Sequence, residues 1–178
     1  DAASMTLGLY TLLMQLGLPF VALRQWWRHR GEVGLHANWR EFFGRYSERT
    51  LRSSIWLHSA SEYDAGAAAL LARALQKEFP DHDLLVTSST PTGRDALRRA
   101  CGSEVRSAYL PYDLPKIARR FLAHFRPRLG IVVGIDVWPV LLSACRLRGI
   151  PMMLANARLS RELARSYARF GKIGRAHV

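Results

Sequence analysis

The chain has 178 residues, 49% hydrophobic and 22% charged, with 26 Lys and Arg against 14 Asp and Glu. That length supports one sizeable core, so one main domain plus an appendage is expected. Its two cysteines, Cys101 and Cys145, are too far apart in sequence for a metal or redox motif and read as reduced thiols. The net charge of +12 favours anionic partners such as acidic membrane lipids, phosphorylated substrates or nucleic acid, without choosing among them.

Residues Met5 to Leu23, MTLGLYTLLMQLGLPFVAL, carry no charge, and RQWWRHR follows directly. This apolar length is just sufficient for a bilayer's hydrocarbon core. Trp26 and Trp27 suit the headgroup level, and Arg24, Arg28 and Arg30 suit the cytoplasmic side. The charge follows the apolar run and no small-residue cleavage site is present, unlike a cleaved signal peptide. Gln15 and Pro19 weaken a full crossing, so a helix lying in the interface plane stays open beside it. Residues 5–30 are therefore read as a membrane-anchoring helix with a basic, aromatic flank.

Residues 31–52 are polar and read as a connector, with a short helix near Trp39 to Phe43. The pattern then alternates. Apolar runs at Ser54–His58, Leu84–Thr87, Val105–Leu110, Leu129–Val133 and Met152–Ala155 predict strands. Ala65–Phe79, Thr92–Cys101, Leu114–Phe125 and Trp138–Arg148 predict helices between them. Short connections and continuously apolar strands imply right-handed crossovers and a parallel sheet buried on both faces. The fold class is α/β, a Rossmann-like parallel sheet of about five strands with helices on both faces.

Such sheets bind ligands outside the carboxyl ends of their strands, so five loops matter. The first, HSASEYD, holds His58, Ser61 and Asp64 and lacks the glycines of a dinucleotide fingerprint. Asp64 has two readings: a carboxylate capping the next helix, or a base acting on substrate. A lone His58 at a strand end more often makes a structural hydrogen bond. In the second, TSSTPTG, Thr90 is an N-cap and Pro91 a first helical residue. With Thr92 and Gly93 they form a helix start able to hold a phosphate or sugar oxygen. In the third, YLPYDLP, Pro111 and Pro115 stiffen a turn around Asp113; in the fourth, GIDVWP, Asp136 precedes Trp138 and Pro139. Either aspartate reads as a helix cap or a ligand group. In the fifth, ANARLS, Asn156 and Arg158 can face a cleft.

WLHSAS with a following Asp64, then TSSTPTG, YLPYDLP, DVWP and ANARLS, in this order and spacing, resemble the N-terminal domain of the 3-deoxy-D-manno-octulosonic acid (Kdo) transferases. The resemblance runs from about Tyr10 to about Lys172. It implies one half of a GT-B glycosyltransferase at the cytoplasmic face of a bacterial inner membrane. Such an enzyme transfers Kdo from CMP-Kdo to a lipid A precursor with inversion. The resemblance also implies that residues 53–172 receive the acceptor and that a donor domain is missing from this chain, leaving it inactive alone. The ending IGRAHV looks like a translated adapter, so residues 173–178 are expected to be non-native, and Met5 is expected to be the true start. No metal or cofactor is expected, nor a nucleic-acid partner; the expected partners are the acceptor lipid and anionic membrane lipids.

By the same resemblance Asp64 stands where the family has its glutamate base. Expected substrate-binding residues are His58, Ser61, Thr90, Thr92, Gly93, Asp113, Asp136, Asn156 and Arg158. Several positions depart from the family pattern. Asp64 is one methylene shorter than Glu, and a displacement of about 1 Å can cost roughly 100-fold in rate. Tyr63 replaces a glycine, crowding the turn and straining it if a positive φ is required. Gly134 and Asp136 replace two glutamates, Val140 an asparagine, and Phe42 and Glu162 two arginines. A divergent transferase and a catalytically degenerate homologue that binds lipid or a partner both fit these changes. Asp64 and Asp136 keep their charge, which favours the transferase.

Overall fold

The computed structural model describes residues 2–28, 38–47, 49–51, 53–59, 61–102, 105–134, 136 and 138–155. Helix α1 (Ala2–Arg28) leads into a 3₁₀ helix (Trp39–Phe43). Then come β1 (Ser54–Ser59), a 3₁₀ turn (Glu62–Asp64), α2 (Ala65–Glu78), β2 (Asp83–Ser88), α3 (Pro91–Cys101) and β3 (Arg106–Tyr109). They are followed by α4 (Pro115–Phe125), β4 (Pro127–Val133), α5 (Pro139–Leu147) and β5 (Met152–Ala155). Each expected strand and helix of the repeat is present, with ends displaced by one or two residues.

The sheet is parallel throughout, in the order β3-β2-β1-β4-β5. Strand alternation divides its core into two layers. Ile55, Leu57, Leu84, Val86, Ile131 and Val133 pack against Ala65, Ala68 and Ala72 of α2 and Leu97 of α3. Trp56 and Leu85 face the other way, against Ala118, Phe121 and Phe125 of α4 and Leu141 and Cys145 of α5. The alanine stripe of α2 lets that helix lie close to the sheet, while large aromatics fill the opposite layer. Full burial of a side chain such as Phe121 is worth about 2–3 kcal/mol, so these layers supply most of the driving force.

Helix ends follow local chemistry. The Thr90 hydroxyl accepts from Gly93 N–H at 3.1 Å, and Pro91 starts α3. A Cβ at Gly93 would collide with Ser88 Oγ, so glycine lets this turn sit against the end of β2 without displacing that hydroxyl. Pro115 and Pro139 likewise open α4 and α5.

The connector is tied to the domain. The Glu41 carboxylate accepts from Tyr109 N–H at 2.7 Å and from the Arg94 guanidinium at 3.2 Å. Buried Arg94 also donates to Ser107 O and lies 4.5 Å from the Tyr109 ring centroid. Phe42 stacks on Tyr109 at 4.7 Å. The Glu41 contacts and the Phe42 ring thereby cover edge strand β3 and occupy a backbone donor that an exposed edge would offer to another chain. Phe42 is buried, which accounts for an apolar ring at this position.

Helix α1 corrects the expectation of a full crossing: among the described residues no helix is long and apolar enough to cross a membrane. Polar Gln15 and helix-internal Pro19 interrupt its apolar run. It is two-sided instead. Tyr10 packs against the aromatic core layer, with Thr11, Met14 and Gly17 partly covered. Leu9, Leu12, Leu13, Leu16 and Phe20 are exposed on a separate stripe. Arg24 and Trp27 are exposed as well. Arg30, the tail 173–178 and Asp1 lie outside the described residues, as do the side chains of Trp26 and Arg28.

Candidate active site at the switch point

The strand order locates the crevice. The chain moves outward from β1 to β2 and β3, then returns to the other side of β1 with β4 and β5. The loops after β1 and β4 therefore leave adjacent strands in opposite directions. Ser59 and Val133 are register partners at the carboxyl ends of that pair. A gap between two such loops is where a doubly wound sheet admits a ligand.

On the β1 side, Asp64 occupies the N-cap position of α2 but makes no side-chain cap bond. Its Oδ2 instead accepts the Ser61 hydroxyl at 2.6 Å, and the residue is only partly covered. The Ser59 hydroxyl donates to Ser61 O at 2.8 Å, bracing the loop beneath it. The capping reading of Asp64 is thus not the one the fold adopts. Tyr63 is 89% exposed, so it does not crowd the turn's interior. Among the described non-glycine residues only Arg126 has a positive φ, so the strain considered for Tyr63 is absent.

On the β4 side, Asp136 follows Gly134, and its side chain is 32% exposed. Gly134 has φ +90°, a region that penalises any side chain at Cβ. His58 lies under this loop with no exposed surface. Its Nδ1 is 2.9 Å from Thr87 Oγ1, and its Nε2 is 3.7 Å from Asp136 Oδ2, beyond a formed hydrogen bond. The Trp138 ring meets the imidazole edge-on at 4.3 Å between centroids. Burial lowers the His58 pKa, and Asp136 opposes part of that shift. The neutral ring is therefore the favoured form.

Asp113 belongs to a different structure. It is buried, and its two oxygens accept from Val140 N–H at 3.0 Å and Leu141 N–H at 2.7 Å. The Tyr10 hydroxyl of α1 adds a favourable electrostatic interaction with it. Burial raises the Asp113 pKa while these three groups pull it back. The capping role considered for Asp113 is met, though for α5 rather than for the helix that follows it in sequence. Its carboxylate is enclosed by protein donors.

Thr90, Thr92 and Gly93 gather at the start of α3, beyond the carboxyl end of β2. The Thr90 hydroxyl is engaged with Gly93 and lies 3.4 Å from that of Thr92, which is exposed. Asn156, Arg158 and Glu162 lie outside the described residues. The sequence pattern does not single out Trp56, Thr87 or Tyr10, although each contacts a member of this constellation. The strand pleat is the available signal, since it puts Trp56 and His58 on one face.

A family model described as 3-deoxy-D-manno-octulosonic-acid transferase (kdotransferase) matches residues 37–178. The chain belongs to the Kdo transferase family. It is 37% identical to the 3-deoxy-D-manno-octulosonic acid transferase of Bordetella pertussis, over 95% of this chain and 40% of that relative. The corresponding Haemophilus influenzae protein is 42% identical over 70% of this chain and 28% of its own length. A probable mitochondrial Kdo transferase of Arabidopsis thaliana is 30% identical over 85% of this chain and 34% of its own. The chain thus spans less than half the length of these Kdo transferases.

Proposed function

We propose that this chain is the acceptor-binding, N-terminal half of a GT-B Kdo transferase, acting with inversion on a lipid A precursor. Asp64 is its base. The carboxylate takes the proton from an acceptor hydroxyl as that oxygen attacks the anomeric carbon of Kdo. The bond from that carbon to the phosphate of CMP-Kdo breaks, and CMP leaves with the bonding pair. The observation that carries this reading is the state of Asp64: partly open at the switch point, not capping its helix, and oriented by Ser61 at 2.6 Å. The CMP-Kdo donor is assigned to a second domain of the kind found in a complete GT-B enzyme.

The same reading places the domain on the cytoplasmic face of the inner membrane, with α1 lying in the interface plane. Its exposed apolar stripe from Leu9 to Phe20 supports this, as does the net charge of +12, which suits anionic lipid. Exposed Arg24, Arg40 and Arg45 are the cations proposed to meet headgroup or lipid A phosphates.

The deciding experiment joins this chain to the donor region of a Kdo transferase relative and measures Kdo transfer to a lipid A precursor. Asp64→Asn should remove transfer while acceptor binding persists. Near-normal transfer by that variant would place the base elsewhere. Acceptor binding with no turnover in the unaltered sequence would favour a degenerate binding module.

A further inference from the structure

We propose that Trp56, Thr87 and His58 form a one-way hydrogen-bond chain that fixes His58 as its Nε2–H tautomer and aims that proton at Asp136. Thr87 and His58 are then positioning residues for the Asp136 carboxylate. The functional weight of this chain rests on Asp136 being a site group, as in the function proposed above. The tautomer does not depend on that reading.

Strand geometry brings the groups together. Trp56 and His58 are two apart on β1, so they project from the same face of the sheet. Thr87 on β2 is the direct register partner of His58. Trp56 Nε1–H donates to Thr87 Oγ1 at 2.8 Å, and Thr87 Oγ1 lies 2.9 Å from His58 Nδ1. All three residues are fully buried. At the far end His58 Nε2 has no hydrogen-bond partner and faces Asp136 Oδ2 across 3.7 Å.

The direction follows from what each group can do. An indole N–H only donates, and an ionised carboxylate only accepts. Thr87 Oγ1 accepts from Trp56 and has one hydrogen left to give. Passing that hydrogen to Nδ1 leaves the neutral imidazole with its proton on Nε2, facing Asp136. The opposite tautomer would turn a bare Nε2 lone pair toward a carboxylate. An imidazolium would put an Nδ1–H against Thr87 and force the threonine hydrogen away, inside a site without solvent. Only the Nε2–H tautomer gives every member a complementary neighbour.

The last link is open by roughly 1 Å relative to a formed bond. Catalytic contacts are often long without substrate and tighten in the complex. Asp136 is partly exposed and His58 is buried, so an inward movement of the carboxylate closes the bond. His58 is thereby assigned to holding Asp136 rather than to touching substrate, which revises its expected role as a substrate ligand.

Nitrogen-15 NMR of the 178-residue chain near neutral pH tests this, with His58 assigned through His58→Gln. The expected spectrum has a protonated Nε2 and an unprotonated, hydrogen-bonded Nδ1. Thr87→Val should shift the Nδ1 resonance and admit the second tautomer, and Thr87→Ser should restore the original pattern. Asp136→Asn should move the Nε2–H signal. A dominant Nδ1–H tautomer, an imidazolium, or a Thr87→Val spectrum equal to the unaltered one overturns the proposal. So does an Nε2–H signal indifferent to Asp136→Asn. In the donor-joined chain, Thr87→Val should lower kcat about tenfold, the equivalent of one hydrogen bond to a charged group. It should add nothing in an Asp136→Asn background. Equal losses in both backgrounds would refute the positioning role. Absence of transfer in the unaltered protein would count against the proposed function, while the NMR spectra would still decide the tautomer.

Discussion

Asp64 and Asp113 stand at comparable places, each in a loop beyond the carboxyl end of a parallel strand and just before a helix. Their fates differ. Asp113 is buried and engaged by two α5 amides and the Tyr10 hydroxyl, so it locks the loop after β3 to α5 and α1. Asp64 leaves the amides of its own helix alone, takes one serine hydroxyl, and stays partly open. A carboxylate enclosed by protein donors is architecture, whereas one held by a single serine hydroxyl and left partly open is the group to which the proposed function assigns proton transfer.

The comparison can be broken first at Asp64. In the donor-joined chain, Asp64→Asn should lower Kdo transfer by roughly a hundredfold to ten-thousandfold, the usual contribution of a general base. Urea denaturation should show a stability change within about 0.5 kcal/mol, as for an exposed substitution. Asp113→Ala should do the reverse at the level of folding. It leaves the Val140 and Leu141 amides of α5 without their acceptor, at a cost of about 2–3 kcal/mol in urea denaturation. If Asp64→Asn unfolds the domain and Asp113→Ala does not, the assignment of the two roles is inverted.

Gly134→Glu sharpens the contrast on the β4 side. Placing a side chain at φ +90° should cost about 1–2 kcal/mol of stability by thermal or urea unfolding. An unchanged or raised stability would mean that the backbone there relaxes freely.

The smallest effect concerns pH. Burial lowers the folded-state pKa of His58, so the unfolded chain binds its proton more readily. Its contribution to stability is complete above the unfolded value, near 6.5, and is lost as pH falls toward the folded value. Asp113 has the opposite sign: its raised folded pKa gives a contribution that is present below the unfolded value and lost as pH rises through the folded one. Unfolding free energy should therefore fall on mild acidification from neutral pH, by at most about 1.4 kcal/mol per pH unit from the His58 imidazole. His58→Gln should flatten that slope. An unchanged slope would assign the acid sensitivity to other groups.

Much of the fold was legible along the chain because it is a matter of local pattern. Apolar runs such as Leu84–Thr87 separated by capped, proline-started helices announce a parallel α/β sheet without any knowledge of contacts. Thr90 with Pro91 was readable for the same reason, since the cap and the first helical residue are neighbours in sequence. The Kdo transferase resemblance was readable from short, ordered loop motifs. The roles of the loop aspartates were not. Asp113 caps a helix that begins 26 residues later, and no local rule links the two. The Glu41–Arg94 pair that secures the connector joins residues 53 apart, so it read only as two charges. The apolar length of α1 suggested a crossing, but which side of it stays exposed depends on where Tyr10 docks.

By itself the amino-acid order determined the elements, their parallel arrangement and the family, because hydrophobic period, caps and loop motifs are encoded within a few residues of one another. Tertiary structure alone decided that β1 and β4 are neighbours. That pairing defines the switch point and sets Asp136 beside His58, while the β1–β2 pairing aligns Thr87 between His58 and Trp56. The physical reason is range: a hydrogen bond acts over about 3 Å, and only the folded chain brings residues tens of positions apart within that distance.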